Sequence, residues 1–197
     1  MEFGLTKEQE MVKRTARQFA EKEIAPIAAD IDEKAEFPVE TIRKLGELGF
    51  MGMTVPKEWG GAGMDEISYA IAVEEISRVC ASHGVTMAVC NSLVCWPLMK
   101  YGTDAHKEKF LRPVASGKSL GCFALTEPNA GTDAGSQTTL AIKKGDDYVI
   151  NGSKVFITNA SKSDVTILFA MTDKSKGTRG ITAFVVDSSI PGYSIGS

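Results

Sequence analysis

The hydrophobic period of this chain changes once, near residue 121, and that change limits the fold more than any other feature. Upstream, apolar residues recur three and four apart, the period of a helix; downstream they fall in short runs bounded by Gly, Asn and Asp, as in strands. A chain of 197 residues patterned this way predicts an α+β architecture, with an all-α helical domain over 1–121 and a β domain over 122–197.

The helical part carries its own start and stop signals. Thr6 with Gln9 forms a capping box ahead of an apolar face of Val12, Ala16, Phe19 and Ala20, and Pro26 interrupts that face. A short second helix runs to about Lys34, its acidic residues between Glu21 and Glu36 reading as a solvated face. Pro38 opens a third helix lined by Ile42, Leu45 and Leu48, and Gly49 stops it. Thr54–Gly63 is a loop that Trp59 anchors. Asp65 caps a helix carrying Ile67, Ala70, Ile71, Ile76 and Val79.

From about Ser82 to Tyr101 the pattern is apolar nearly all round, which predicts a central, buried helix that Pro97 kinks. Asn91 and Ser92 interrupt it. They read either as hydrogen-bonding partners of a neighbouring helix or, with the kink, as the wall of a pocket. Thr103 caps a last short helix with Phe110 and Leu111 inward.

The β part opens on Cys122-Phe-Ala-Leu-Thr-Glu-Pro-Asn-Ala-Gly-Thr-Asp-Ala-Gly-Ser136. An apolar run ends at a Thr-Glu-Pro corner and opens into residues with almost no bulk, a layout for backbone lying flat against a large ligand. Further on, Thr138–Ile142 alternates, Gly145-Asp-Asp is a turn, and Asn151-Gly152 between β-formers is the strongest short hairpin signal. Val165–Met171 and Ile181–Val186 read as strands around a polar loop.

Several function classes are disfavoured. The net charge is −3, and the basic residues are spread evenly: 15 basic and 18 acidic side chains in 1–121, 7 of each in 122–197. No basic face marks a nucleic-acid binder. The four cysteines form no Cys-x-x-Cys pair and the two histidines stand far apart, so a metal site is unsupported. No signal peptide or membrane span is legible, and the cysteines read as reduced thiols, mostly in the core, of a cytoplasmic protein.

Two motifs carry a resemblance. Leu125-Thr-Glu-Pro-Asn-Ala-Gly-Thr-Asp133, and some 20 residues on Asn151-Gly-Ser-Lys-Val-Phe-Ile-Thr-Asn159, resemble the two flavin-contacting segments of the acyl-CoA dehydrogenases. The Cys122-Phe-Ala-Leu opening and the Asn91-Ser-Leu stretch look most like the short-chain, butyryl-CoA type. The resemblance covers the chain from Leu5 onward. It implies that residues 122–197 are an incomplete antiparallel β-barrel domain, with the family's C-terminal helical domain absent.

The implied function is flavin-dependent α,β-dehydrogenation of a short-chain acyl-CoA in fatty acid β-oxidation. FAD is the cofactor, an electron-transfer flavoprotein takes the electrons, and the complete protein is a homo-oligomer, a dimer or tetramer. Carried over by position, Phe123, Ala124, Leu125, Thr126, Gly131, Thr132, Phe156, Ile157 and Thr158 contact the flavin. The Thr126 hydroxyl and nearby N–H groups bond its pyrimidine edge, and Thr132 also reaches the CoA part of the substrate. Many members have Trp at the place of Phe156; Phe keeps the flat contact and lacks the indole donor. The helix from Val85 to Leu93 floors the acyl pocket.

No catalytic residue falls within this chain on that reading. The match of Glu127 is a structural member of the loop, and the family's glutamate base belongs to the absent domain, so the fragment alone is expected to be inactive. Two alternatives stay open: a non-catalytic module that binds acyl-CoA, flavin or a partner chain, and an acyl-CoA oxidase relative.

Overall fold

A computed structural model of the chain describes residues 4–196. It divides into two compact units, one ending at Ser119 and the next beginning at Leu120. Leu120 joins the second unit through its backbone: its N–H donates to Asp164 Oδ2 at 2.9 Å, and its carbonyl accepts from Asp164 N at 2.8 Å.

In the helical unit, α1 (Lys7–Phe19) starts at the capping box, with Gln9 N donating to Thr6 Oγ1 and Thr6 N to Gln9 Oε1. Val12, Ala16, Ala20 and Ile24 go into the core. The short α2 (Ala28–Glu33) buries nothing, as its acidic sequence implies. In α3 (Val39–Glu47), Ile42 and Leu45 are buried, but Leu48 is 39% exposed. Gly49 takes φ +78° just after the helix, a conformation that favours glycine. The chain turns there, and Phe50 and Met51 enter the core in place of Leu48.

Asp65 caps α4 (Glu66–Ser77) through Ser68 N at 2.6 Å, and Gln9 Nε2 donates to the same carboxylate. Ile67 and Ala70 lie outside the core; Ser68, Ile71, Ala72, Glu75 and Ile76 form the buried face. Glu75 can enter because Arg17 meets it with two hydrogen bonds, at 2.7 and 2.9 Å. Trp59 anchors its loop as expected, with Lys107 and Arg112 5.5 and 5.6 Å from its ring.

The long apolar segment forms α5 (Ala81–Ala88), a wide turn over Val89–Cys95 and α6 (Trp96–Tyr101). It is not buried all round: Met87, Cys90, Val94 and Leu98 face the core, while Val85, Leu93, Trp96 and Tyr101 are exposed. The wide turn has a general cause. Among the described residues, π-helical turns occur at Ala20–Ile24, Val89–Cys95 and Lys107–Leu111, each just upstream of a proline, namely Pro26, Pro97 and Pro113. Proline brings no N–H and its ring crowds the carbonyl one turn back, so the preceding turn loosens from i→i+4 to i→i+5. Downstream come α7 (Asp104–His106), capped by Thr103, and α8 (Arg112–Ala115), with Phe110 and Leu111 buried between them.

The second unit holds β1 (Gly121–Ala124), β2 (Leu140–Lys144), β3 (Asp147–Asn151), β4 (Val165–Met171) and β5 (Ile181–Asp187) in one sheet. The sheet is mixed, not an antiparallel barrel. β1 and β2 pair with β4 in parallel, whereas β2–β3 and β4–β5 are antiparallel. β5 takes the whole of one edge of β4, so β1 and β2 follow one another along the other edge. A parallel β1–β4 pair needs a long crossover, and residues 125–164 supply it, carrying both motif segments and the β2–β3 hairpin.

That hairpin turns at Gly145, with φ +64°, and not at Asn151-Gly152. Gly152 serves close approach: a β-carbon there would lie 2.2 Å from Thr139 Oγ1. Cys90, Cys95 and Cys122 are buried, and Cys122 sits among hydroxyls, 3.1 Å from Thr166 Oγ1.

Candidate functional site

The candidate site grows from the end of β1. Phe123 packs at a tilt against Phe169 of β4 with ring centroids 5.0 Å apart, and Ala124 turns to the opposite, buried face. Beyond the strand, reciprocal bonds between the backbones of Glu127 and Ala130, at 3.0 and 3.1 Å, pinch off the Pro128–Asn129 corner. Ala130 is buried beneath it, while Gly131, Thr132 and Asp133 are exposed. A β-carbon built on Gly131 would meet nothing within 4 Å, so a ligand can approach that backbone closely.

Glu127 is the hub of this corner. Its Oε2 accepts from Thr138 N at 2.6 Å and Thr138 Oγ1 at 2.8 Å, and its Oε1 from Thr139 N at 3.0 Å and Lys154 Nζ at 2.8 Å. Both side chains of the ion pair are buried, Lys154 7% and Glu127 2% exposed. Burial alone would raise the carboxyl's pKa. The hydrogen bonds from Lys154, Thr139 and Thr138 outweigh it and hold the group at about 2. A carboxylate so held is a poor proton acceptor near neutral pH. The Lys154 ammonium spends its three protons on Glu127, on Leu125 O at 3.0 Å and on Gln137 Oε1 at 3.2 Å.

The second motif segment is thereby held to the first. Val155 N donates to Thr126 O at 2.9 Å, and Asn159 Nδ2 to Gly121 O at 3.1 Å. Between these ties stands Phe156, 93% exposed and at φ +58°. A bulky side chain in the left-handed region is a backbone outlier, and such strain concentrates at functional sites. Ile157 and Thr158 are half-buried beside it. Neither the N–H nor the hydroxyl of Thr126 has a partner among the described residues.

The expected residues therefore fall into groups. Leu125 and Thr126 are brought to the Val155–Phe156 backbone, and Phe123 underlies the strand end. Ala124 can offer only backbone, and Gly131 and Thr132 stand on the exposed far side of the corner. Lys154, Gln137 and the Thr138–Thr139 backbone escape sequence reasoning. A lysine between β-formers reads as a solvent-facing residue, and nothing local announces a carboxylate 27 positions away.

The helical unit has a cleft of its own, about 280 Å³, lined by Thr54, Glu66, Tyr69, Asn91, Ser92 and Trp96. Asn91 is committed to structure: Oδ1 accepts from Met53 N at 2.7 Å, and Nδ2 donates to Phe50 O at 2.8 Å and Met87 O at 3.0 Å. Its partners are thus a turn and its own helix. Ser92 bonds Tyr69 Oη at 2.8 Å, and burial pushes the Tyr69 phenol above its ordinary range.

Comparison with known proteins gives the following. Residues 6–118 match the acyl-CoA dehydrogenase N-terminal domain, and residues 122–197 the acyl-CoA dehydrogenase middle domain. A short-chain specific acyl-CoA dehydrogenase of Clostridium acetobutylicum is 52% identical over 196 residues, covering 100% of this chain and 52% of that protein. The butyryl-CoA dehydrogenase of Megasphaera elsdenii superposes with a TM-score of 0.93 at 45% identity, covering 98% of this chain and 51% of its own. A chain solved in work on the electron transferring flavoprotein of Acidaminococcus fermentans superposes at 0.95 with 47% identity, over 98% of this chain and 50% of its own. The chain spans about half the length of the curated relatives it matches.

Proposed function

The chain belongs to the acyl-CoA dehydrogenase family, and on that premise we propose that it supplies the helical part and the flavin-facing wall of an enzyme that dehydrogenates a short-chain acyl-CoA thioester between its α and β carbons. The observation that carries this reading is the pairing of unlike groups on bonded backbones: the partnerless N–H and hydroxyl of Thr126, and the bare, positive-φ ring of Phe156. A flavin ring system needs both, a flat apolar contact for its face and donors for its polar edge.

The chemistry supplied by bound FAD is acceptance of a hydride equivalent from the β-carbon as the α-proton leaves to a base. The residues here hold and orient. Thr126 donates to the polar edge, with Leu125 and Ala124 contributing backbone and Phe123 and Ile157 apolar support. Phe156 packs on the ring, and the Thr158 hydroxyl reaches the neighbourhood of the reacting nitrogen. Gly131 admits close approach, and Thr132 contacts both flavin and the CoA part of the substrate. Such fixing matters because neither bond change is fast unless the carbons are held at near-attack distance.

Glu127 is engaged by Lys154, Thr138 and Thr139, so the base in this reading comes from outside residues 1–197. Residues 1–121 serve as the helical domain and 122–197 as part of a β domain, whose edge strands β3 and β5 are completed into a barrel by further chain. Kinship with the short-chain enzyme supports a short acyl group, and the likeness to the chain from the electron transferring flavoprotein work supports such a flavoprotein as electron acceptor. We place the assembly, a homo-oligomer, in the cytoplasm. Titration of the complete enzyme, residues 1–197 together with the chain that supplies the base, with FAD and then butyryl-CoA tests the reading. Flavin absorbance should appear, bleach with butyryl-CoA and return with an electron-transfer flavoprotein. Bound flavin that no acyl-CoA bleaches would make the protein a binding module, and rapid return with oxygen alone would make it an oxidase.

A further inference from the structure

The Lys154 contact with Leu125 points beyond loop anchoring. Leu125 O and Thr126 N belong to one peptide group. Lys154 Nζ donates to its carbonyl at 3.0 Å, and the N–H at its other end has no partner among the described residues. A charged donor on a carbonyl draws electron density through the amide and makes the N–H of the same group a stronger donor, the cooperative effect seen in hydrogen-bond chains. Burial of the ammonium, 7% exposed, limits screening of that effect by water.

We propose that Lys154 is a positioning and polarising residue that acts through the Leu125–Thr126 peptide on whatever acceptor meets Thr126 N–H. The inference rests on the flavin reading above, in which that acceptor is the pyrimidine edge of FAD. Glu127 then has a separate task. It anchors the corner through Thr138 and Thr139, while Leu125 O and Gln137 Oε1 also hold the Lys154 ammonium. Negative charge gathers on the pyrimidine edge when a flavin is reduced, so the polarised N–H favours the reduced form over the oxidised one.

Three variants separate polarisation from structural support. Glu127→Gln leaves the ammonium on the Leu125 carbonyl and weakens the anchor. Lys154→Met removes the ammonium and strands a buried carboxylate. The double variant removes the ammonium without stranding the charge, so it keeps the test alive if Lys154→Met does not fold. In FAD titrations of the protein, Glu127→Gln should lower the melting temperature yet lose less FAD affinity than the double variant. The double variant should melt no lower than Lys154→Met, yet bind FAD roughly three- to tenfold more weakly than wild type, the scale of one charge-assisted hydrogen bond partly lost. Its bound flavin should also have a more negative midpoint potential. If FAD affinity and potential instead follow the melting temperature across the three variants, Lys154 is structural support only and the inference is overturned. If wild type takes up no FAD at all, the flavin reading itself fails.

Discussion

Phe156 and Glu127 are the two residues of the candidate site whose environments conflict most with their ordinary preferences, and each conflict can be measured. Phe156 holds a large apolar ring in solvent on a left-handed backbone. Phe156→Gly should relieve the strain and stabilise the ligand-free protein by up to about 1 kcal/mol, while weakening FAD binding. A thermal melt with and without flavin reads both effects. Two buried titratable groups set two acid windows. His83, fully buried with Nε2 2.7 Å from Thr41 Oγ1, has its pKa lowered by burial from 6.5 to about 4. The unfolded chain takes that proton first, so stability is complete above pH 6.5 and falls as pH drops towards 4. Glu127 is lowered from 4.5 to about 2, so its contribution is present above pH 4.5 and lost as pH falls through 2. Each window is worth of order 3 kcal/mol. His83→Gln should flatten the first slope of melting temperature against pH, and Glu127→Gln the second.

At the scale of elements, the wide turn over Val89–Cys95 turns Asn91 towards the Phe50–Met53 segment. Asn91→Ala should cost about 2–4 kcal/mol, because Met53 N and Phe50 O lose their partner inside the core. The denaturation midpoint checks this. Val85 of α5 and Leu93 of the turn are exposed, and the resemblance makes this stretch the floor of an acyl pocket. Leu93→Ala in a complete enzyme should raise activity with longer acyl-CoA chains relative to butyryl-CoA, within the roughly 1–3 kcal/mol that a methylene can contribute to discrimination. Unchanged relative rates across an acyl series would rule the floor out. Element boundaries were legible where one side chain meets a nearby backbone group: the Thr6, Asp65 and Thr103 caps all form. The Gly145 turn was legible too, but the Asn151-Gly152 signal misled: Gly152 gives clearance to Thr139 beside it at the end of the β2–β3 ladder, and no local rule separates a glycine needed for a turn from one needed for clearance.

For the whole molecule, residues 1–197 cover two family domains and about half the length of their relatives. Produced by themselves, these residues should hold FAD weakly and fail to reduce it with butyryl-CoA, since the one buried carboxylate of the motif loops is locked to Lys154. Flavin absorbance before and after the thioester decides it, and bleaching on the timescale of turnover would place a base within this chain.

The amino-acid sequence by itself determined the order of a helical part before a strand part, the helix caps, and the two motif segments that carry the family, because period, capping and motif are short-range properties. It did not determine that the sheet is mixed, that the apolar helix has an exposed side, or that Lys154 clasps Glu127 beneath Leu125. Those depend on which distant segments share an edge of β4 or a buried volume. Only the folded chain brings residues 125, 127, 137 and 154 close enough for their charges and dipoles to select one another.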